Sequence, residues 1–232
     1  MQVGVISDIH ANRVALDAVV EDMPSVDRVV CAGDVVGYNP WPGECVDRVR
    51  ERGVPTVMGN HDRAVASGTA FAFNSMAGAG VEYTCEELDD EQIDWLGSLP
   101  DERTAFDAQV KIVHGHPDDP DRYTYPDLFG PELLDEEDAL VLGHTHVQYH
   151  ETYDEGIVMN PGSVGQPRDG DPRAAYAVLD LGDLTVEERR VEYDVEAVQP
   201  AIEEAGLPER TGSRLACGHS VTARPQIGRA HV

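Results

Sequence analysis

Five short, largely apolar runs in this 232-residue chain each break off at a cluster of Asp, Asn or His. Val3–Ile6 leads into Asp8-Ile9-His10, and Val26–Cys31 into Gly33-Asp34. Val54–Val57 leads into Gly59-Asn60-His61-Asp62, Val110–Val113 into His114-Gly115-His116, and Ala139–Leu142 into Gly143-His144-Thr145-His146. Runs of this length, rich in β-branched residues and bounded by Gly and polar side chains, read as buried strands. Stretches with helical spacing at Arg13–Asp22 and near Glu44–Arg50 separate the first three. Strand, loop and helix therefore alternate, which is the pattern of an α/β domain. In such sheets ligands bind in the crevice beyond the carboxyl ends of the strands, so this sequence delivers its most reactive side chains to one rim.

A lone Asp-x-His is more often a capping aspartate beside a surface histidine, and a lone His is usually a hydrogen-bonded bystander. Ordered fragments at successive strand ends are another matter, because buried Asp and His are seldom placed without partners. Mixed carboxylate, amide and imidazole donors suit Mn, Fe or Zn better than Ca or a thiolate-bound ion. Asp8, His10, Asp34, Asn60, His114, His144 and His146 together exceed what one ion accepts, so two ions sharing a carboxylate is the economical reading. His116 is the alternative to His114, which sits directly at its strand end. The cysteines (Cys31, Cys45, Cys85, Cys217) show no Cys-x-x-Cys spacing and read as small hydrophobes in a reducing compartment.

Beyond the third exit, residues 63–99 read as two or three helices inserted between core strands. The stretch 118–131 is rich in proline and reads as loop. Val147–Tyr153 and Ile157–Met159 form an expected hairpin, followed by a Gly/Pro loop at 160–170. Strands at Ala174–Leu179 and Leu184–Val191 and a helix at Val195–Ala205 complete a domain expected over residues 1–207. Residues 208–232 differ in composition, with Glu209 their only acid beside Arg210, Arg214, Arg224 and Arg229. They read as a C-terminal extension whose end is disordered.

Taken together, Asp8-x-His10, Gly33-Asp34, Gly59-Asn60-His61-Asp62, His114-Gly115 and Gly143-His144-x-His146 resemble the full motif series of the calcineurin-like metallophosphoesterases, and in particular their compact YfcE-like branch. Val36-Gly37-Tyr38-Asn39-Pro40 and Asn160-Pro161-Gly162-Ser163-Val164-Gly165-Gln166-Pro167-Arg168 resemble it too, as do Gly206-Leu207-Pro208 and Arg214-Leu215, so the likeness covers about residues 1–218. The resemblance implies a four-layer αββα sandwich with metals at its rim. It puts Asp8, His10 and His146 on one divalent transition-metal ion and Asn60, His114 and His144 on a second, with Asp34 bridging. Mn is the first expectation for both ions, with Fe, Zn, Co or Ni as alternatives. His61 becomes the unliganded catalytic histidine, assisting the leaving group while a hydroxide bridging the ions attacks, and Asp62 is expected to orient its imidazole. Ala11 stands where the branch commonly has glycine.

The implied activity is hydrolysis of phosphate esters, phosphodiesters ahead of monoesters, on a small phosphate-ester or nucleotide substrate. A dinucleoside polyphosphate hydrolase and a protein phosphatase are alternatives on the same site. From another class comes a scaffold like retromer's small subunit, which resembles this family but has lost metal and catalytic positions that this chain keeps. A homodimer is a further expectation from the resemblance. Asn12 and Arg168 could reach a substrate phosphate, against the blander readings of a turn-forming Asn and a surface Arg. Tyr38 and Trp41 could stack on a base or simply anchor packing.

Charge completes the picture. Forty-four acids oppose 17 bases, a net charge of −27, and Lys111 is the only lysine. Such a surface repels itself in dilute buffer but is screened in molar salt, where the Debye length falls to ~3 Å. Dense carboxylates with almost no lysine resemble the proteins of extreme halophiles, and a halophilic archaeal source is the expectation. Nonspecific nucleic-acid binding through a basic face is excluded on the same ground. No basic segment precedes an apolar stretch at the start, and no run approaches the ~20 apolar residues that cross a bilayer. A cytoplasmic protein without membrane association is expected.

Overall fold

The alternation of strand and helix is realised in a computed structural model that describes residues 1–70 and 73–218. Its strands are β1 (Gln2–Ile6), β2 (Arg28–Cys31), β3 (Glu102–Ala105), β4 (Val110–Val113), β5 (Ala139–Val141), β6 (Tyr149–Thr152), β7 (Ile157–Asn160), β8 (Ala174–Asp180) and β9 (Thr185–Val191). They form two sheets, ordered β2-β1-β8-β9 and β3-β4-β5-β7-β6. β1 runs parallel to β2, and β4, β5 and β7 run parallel to one another; the remaining pairings are antiparallel.

Alternation along each strand sends one set of side chains between the sheets. Val3, Val5, Val30 and Leu179 of the first sheet meet Val110, Ile112, Val141, Ile157 and Met159 of the second, all of them buried. Each such side chain contributes roughly 1.5–3 kcal/mol on leaving water. The other face of the first sheet is covered by helices. The first, α1 (Arg13–Asp22), starts where the Asn12 side chain accepts from the Ala15 N–H, and turns Ala15, Leu16 and Val19 inward. It stops at Met23, which the following Pro24 keeps out of the helical region. Beside it lie α2 (Pro42–Glu51) and three helices of the expected insert, α3 (Asn60–Ser67), α4 (Ser75–Glu87) and α5 (Asp90–Gly97). The outer face of the second sheet, with Leu140, Leu142 and Val158, packs under Phe129, Leu133 and Leu134. Those residues flank or belong to one-turn 3-10 helices at Pro126–Leu128 and Pro131–Leu133. Helix, sheet, sheet and helix thus stack in the anticipated order, with a thin fourth layer.

Two local expectations change. Val54–Val57 is not a ladder strand: it makes a single parallel bridge, Thr56 to Cys31. Pro55 has no N–H to give, so the segment only skirts the sheet edge while still carrying Asn60 to the rim. Conversely, Glu102–Ala105 has no apolar run yet forms the edge strand β3, because β4 supplies its pairing.

After α6 (Val195–Glu204), Gly206 turns the chain into α7 (Glu209–Leu215), whose Leu215 packs with Leu207 against Val198 and Ile202. The Gly170 N–H also donates to the Gly218 carbonyl at 2.8 Å. Position 207 therefore falls between two packed helices. The expected disordered end of the extension, 219–232, lies outside the described residues. Among the described residues no helix is long and apolar enough to cross a membrane. Carboxylate repulsion carries a direct consequence: the midpoint of thermal unfolding should rise as KCl goes from about 0.1 M to about 2 M. Scanning calorimetry checks this, and a midpoint independent of salt refutes it.

Candidate metal centre

The loops leaving β1, β2, β4 and β5, together with the start of α3, converge on one rim. Asp8, His10, Asp34, His114, His144 and His146 are buried there, while Asn60 is half-buried at the first turn of α3. Asp8, His10, Asp34, His144 and His146 all take left-handed backbone conformations, with φ between 47° and 66°. L-residues adopt these at a cost of about 1–2 kcal/mol each, so the surrounding structure must enforce them. Much of that enforcement comes from the 160–168 loop. Its Val164 and Gly165 N–H groups donate to the Ser7 and Asp8 carbonyls at 3.0 Å, and Ser163 Oγ donates to the Asp8 carbonyl at 2.7 Å. Gly165 has to be glycine here, since a Cβ would stand 1.8 Å from the Ile9 carbonyl oxygen.

Backbone carbonyls fix the histidine tautomers. Nδ1 of His10 lies 3.0 Å from the Val36 oxygen, that of His114 2.7 Å from the Ala32 oxygen, and that of His146 2.5 Å from the Gln166 oxygen. With each Nδ1–H donating outward, Nε2 of His10 and His146 presents a lone pair inward, and Nε2 of His114 points inward at Asp34, carrying a proton that a cation there would displace. The consequence is a set of acceptors aimed at each other. Nε2 of His10 and His146 are 3.1 Å apart, and the latter is 3.0 Å from Asp8 Oδ1, a buried oxygen with no hydrogen-bond partner. Nε2 of His114 faces Asp34 Oδ2 at 3.4 Å and Asn60 Oδ1 at 3.3 Å. His144 places Nε2 3.2 Å from the Asp121 carbonyl; donating there leaves Nδ1 as its acceptor. Buried lone pairs that converge without hydrogens between them are costly unless a cation occupies their focus.

The donor atoms of Asp8, His10, Asp34 and His146 lie within 4.8 Å of one another, and so do those of Asp34, His114 and His144. Asp34 belongs to both groups. The residues present thus fit two divalent cations in composition, tautomer and spacing. Among the alternatives left open by the sequence, His114 is the one in the cluster. His116 turns aside, its Nδ1 accepting from the Asp118 N–H at 3.0 Å.

Protonation follows burial. It pushes His10 and His146 well down, and His144 to about 3. His114 moves the other way, to about 9, because neighbouring Asp34 outweighs its burial. Burial would raise Asp34, but His114 and then His61 hold it well below the carboxylate range.

His61 lies beside these groups without joining them. Its N–H donates to Asp34 Oδ1 at 2.9 Å. Its ring sits between Tyr38 and Phe73, with both centroids 4.6 Å away, and edge-on to His10 at 4.9 Å. Burial holds its pKa down to about 4, so the imidazole is neutral at neutral pH. Nδ1 is sealed without a hydrogen-bond partner against Gly37, where a Cβ would come within 2.4 Å of that nitrogen. The available nitrogen is therefore Nε2.

Asp62 departs from expectation: neither of its oxygens bonds to the His61 ring. Oδ1 accepts from the Val35 and Val36 N–H groups at 2.9 and 3.2 Å, and Oδ2 from the Gly59 N–H at 3.0 Å. It satisfies the Gly59 N–H at the start of α3 and ties that helix to the Asp34 loop. Burial, then Asp34, raises its pKa to about 7.

A cleft of about 420 Å³ opens over the cluster, with Asp34, His61, His144 and His146 in its floor. Tyr123, from the proline-rich loop, stacks on His144 at 3.9 Å, and Tyr125 lies nearly parallel to it at 5.9 Å. Both tyrosines are substantially exposed, and sequence reading missed them; the Tyr-x-Tyr pair within a Pro/Asp loop was the available sign. Arg168 and Tyr38 also line the cleft. Trp41 is instead a packing residue under Arg13 near α6 and α7. Asn12 caps α1 and donates to the Gly165 carbonyl at 3.0 Å, the blander of its two readings.

Comparison with known proteins gives a consistent result. Residues 1–184 match the calcineurin-like phosphoesterase superfamily domain. The chain is 34% identical over 238 residues to the uncharacterized protein MJ0912 of Methanocaldococcus jannaschii, covering 93% of this chain and 98% of that protein. Phosphodiesterase YfcE of Escherichia coli K12 is 29% identical over 196 residues, covering 78% of this chain and 88% of YfcE. Among solved structures, a metallophosphoesterase from Sphaerobacter thermophilus superposes with a TM-score of 0.83 at 36% identity, covering 94% of this chain and 99% of that one.

Proposed function

Because the chain belongs to the calcineurin-like phosphoesterase superfamily and is a metal-dependent phosphoric ester hydrolase, we propose that it cleaves phosphodiesters in the cleft above Asp34. The observation that carries this reading is the presence of Asp34 in both donor groups. One ion is assigned to Asp8, His10 and His146, the other to Asn60, His114 and His144, and Asp34 to both, with Mn the first choice for each. Two such ions, when bound, activate a shared water and neutralise charge building on the phosphoryl oxygens.

The protein's own contribution is orientation and proton placement. Carbonyls of Val36, Ala32 and Gln166 lock three imidazoles with Nε2 inward, so no reorganisation of the rings is required as charge develops. His61, neutral and lining the cleft, is assigned the donation of its Nε2–H to the oxygen of the departing alcohol. Tyr123 covers His144 and keeps water from one side of the floor. A diester is favoured over a monoester by the activity in YfcE's name, and the cleft of about 420 Å³ has room for a substituted phosphate.

Hydrolysis of bis-p-nitrophenyl phosphate beside p-nitrophenyl phosphate tests the reading, in molar KCl after chelation and after Mn²⁺ is restored. Chelation should abolish turnover and Mn²⁺ should return it, with the diester cleaved faster. Two ions bound per chain with neither ester cleaved would overturn it.

A further inference from the structure

Arg168 has its place in the wall of the cleft of this acidic chain. Arg63, Arg173, Arg189 and Arg190 each pair with at least one carboxylate. Arg168, half-buried in the cleft wall, has no carboxylate partner among the described residues. Its Nη2 meets only neutral oxygens, Gln166 Oε1 at 3.0 Å and the Tyr38 hydroxyl at 3.4 Å, while its buried Nε has no partner at all. A guanidinium held in the cleft wall by neutral oxygens, with one N–H buried and unpaired, keeps its charge available to an anion in the cleft.

The backbone holds this residue firmly. The Arg168 N–H donates to the His146 carbonyl at 3.1 Å, and Gln166, two residues earlier, fixes the His146 ring. The guanidinium carbon lies 5.9 Å from the Tyr38 ring centroid, and that of Arg214, from α7, lies 6.0 Å from the same ring. Burial, then the charge of Arg168, brings Arg214 down to about 10. Arg168 lines the cleft together with His61, His146 and Tyr123 and acts electrostatically on all three. Two guanidiniums gathered on one aromatic ring repel each other unless an anion comes between or beside them. The planar fork of Arg168 suits phosphate oxygens in particular.

Building on the phosphoesterase reading above, we propose that Arg168 forms a second anionic subsite, receiving a phosphate of the substrate other than the one being cleaved. A simple diester carries one negative charge, and the metal-ligand cluster already provides for the phosphate that bears it. The Arg168 guanidinium bonds to Gln166 and Tyr38 rather than to Asp8 or Asp34, beside that cluster and not within it. The substrate class selected is a phosphoester bearing an additional phosphate, such as a nucleotide with two phosphate groups.

Calorimetric binding at fixed free Mn²⁺ tests this without turnover, using AMP, ADP and adenosine 3′,5′-bisphosphate as probes. Wild-type protein should bind at least one of the two-phosphate nucleotides about tenfold or more tighter than AMP. Arg168→Gln should bring that ratio close to one, and Arg168→Lys should keep part of it. Metal content and circular dichroism confirm that both variants remain loaded and folded. The proposal is overturned if wild type shows no preference for a second phosphate. It is equally overturned if Arg168→Gln weakens AMP and the two-phosphate nucleotides by the same factor, which would put Arg168 on the scissile group. Failure of the hydrolase reading would be seen separately, as absent turnover of bis-p-nitrophenyl phosphate.

Discussion

Asp34→Asn should abolish phosphodiesterase activity and metal loading together, lowering turnover by about a thousandfold or more. The magnitude follows from losing several kcal/mol of charge stabilisation at about 1.4 kcal/mol per factor of ten. The amide keeps the shape of the side chain, and its oxygen can still accept the His61 N–H that Asp34 Oδ1 accepts at 2.9 Å. What it cannot do is place a negative Oδ2 between the two donor groups, 3.6 Å from His10 Nε2 in one and 3.4 Å from His114 Nε2 in the other. An NH₂ group there would present hydrogens at the very focus where cations are required. The electrostatics change as well, because Asp34 sustains the raised pKa of His114. Metal analysis after gel filtration should find fewer than two ions per chain, with the circular dichroism spectrum unchanged. Full activity with two ions retained would remove Asp34 from the bridging position.

How far this site could be read in the sequence depended on what made each residue visible. The ligand fragments were visible because strands buried on both faces are nearly continuous apolar runs, so Asp8, Asp34, His114 and His144 stand out where those runs stop. Geometry that depends on partners was not visible. Pro55 lets Val54–Val57 look like a strand while denying it a ladder, and Glu102–Ala105 becomes one only because β4 lies alongside. Asp62 was read by its nearness to His61, yet backbone donors at Val35, Val36 and Gly59 take both its oxygens. Arg168 was weighed as a surface residue because nothing local shows that the loop folds back over β1. Only the hydrogen bonds of Val164 and Gly165 to the Ser7 and Asp8 carbonyls bring it to the cleft. The tyrosines at 123 and 125 are of the same kind: their meaning comes from His144, which lies beyond β5 in the chain.

His61→Ala separates metal binding from leaving-group chemistry, and its effect should grow as the leaving group worsens. The ring contributes no atom to either donor group. The Asp34 contact uses the backbone N–H of residue 61, which alanine retains. Two ions per chain should therefore remain. Removing the imidazole empties the space between Tyr38 and Phe73 but leaves helix α3 intact, since Asp62 and Gly59 form its cap. A p-nitrophenolate ion leaves without a proton, so bis-p-nitrophenyl phosphate should lose little turnover. A simple alkyl alkoxide cannot leave so readily, and diesters with alkyl leaving groups should slow by about 10²–10⁴ in kcat, the usual contribution of a positioned proton donor. A plot of log kcat against leaving-group pKa should thus be steeper for the variant than for wild type. Equal losses across the series would mean that His61 serves the cleft by packing alone, and unchanged turnover with alkyl esters would remove it from the reaction.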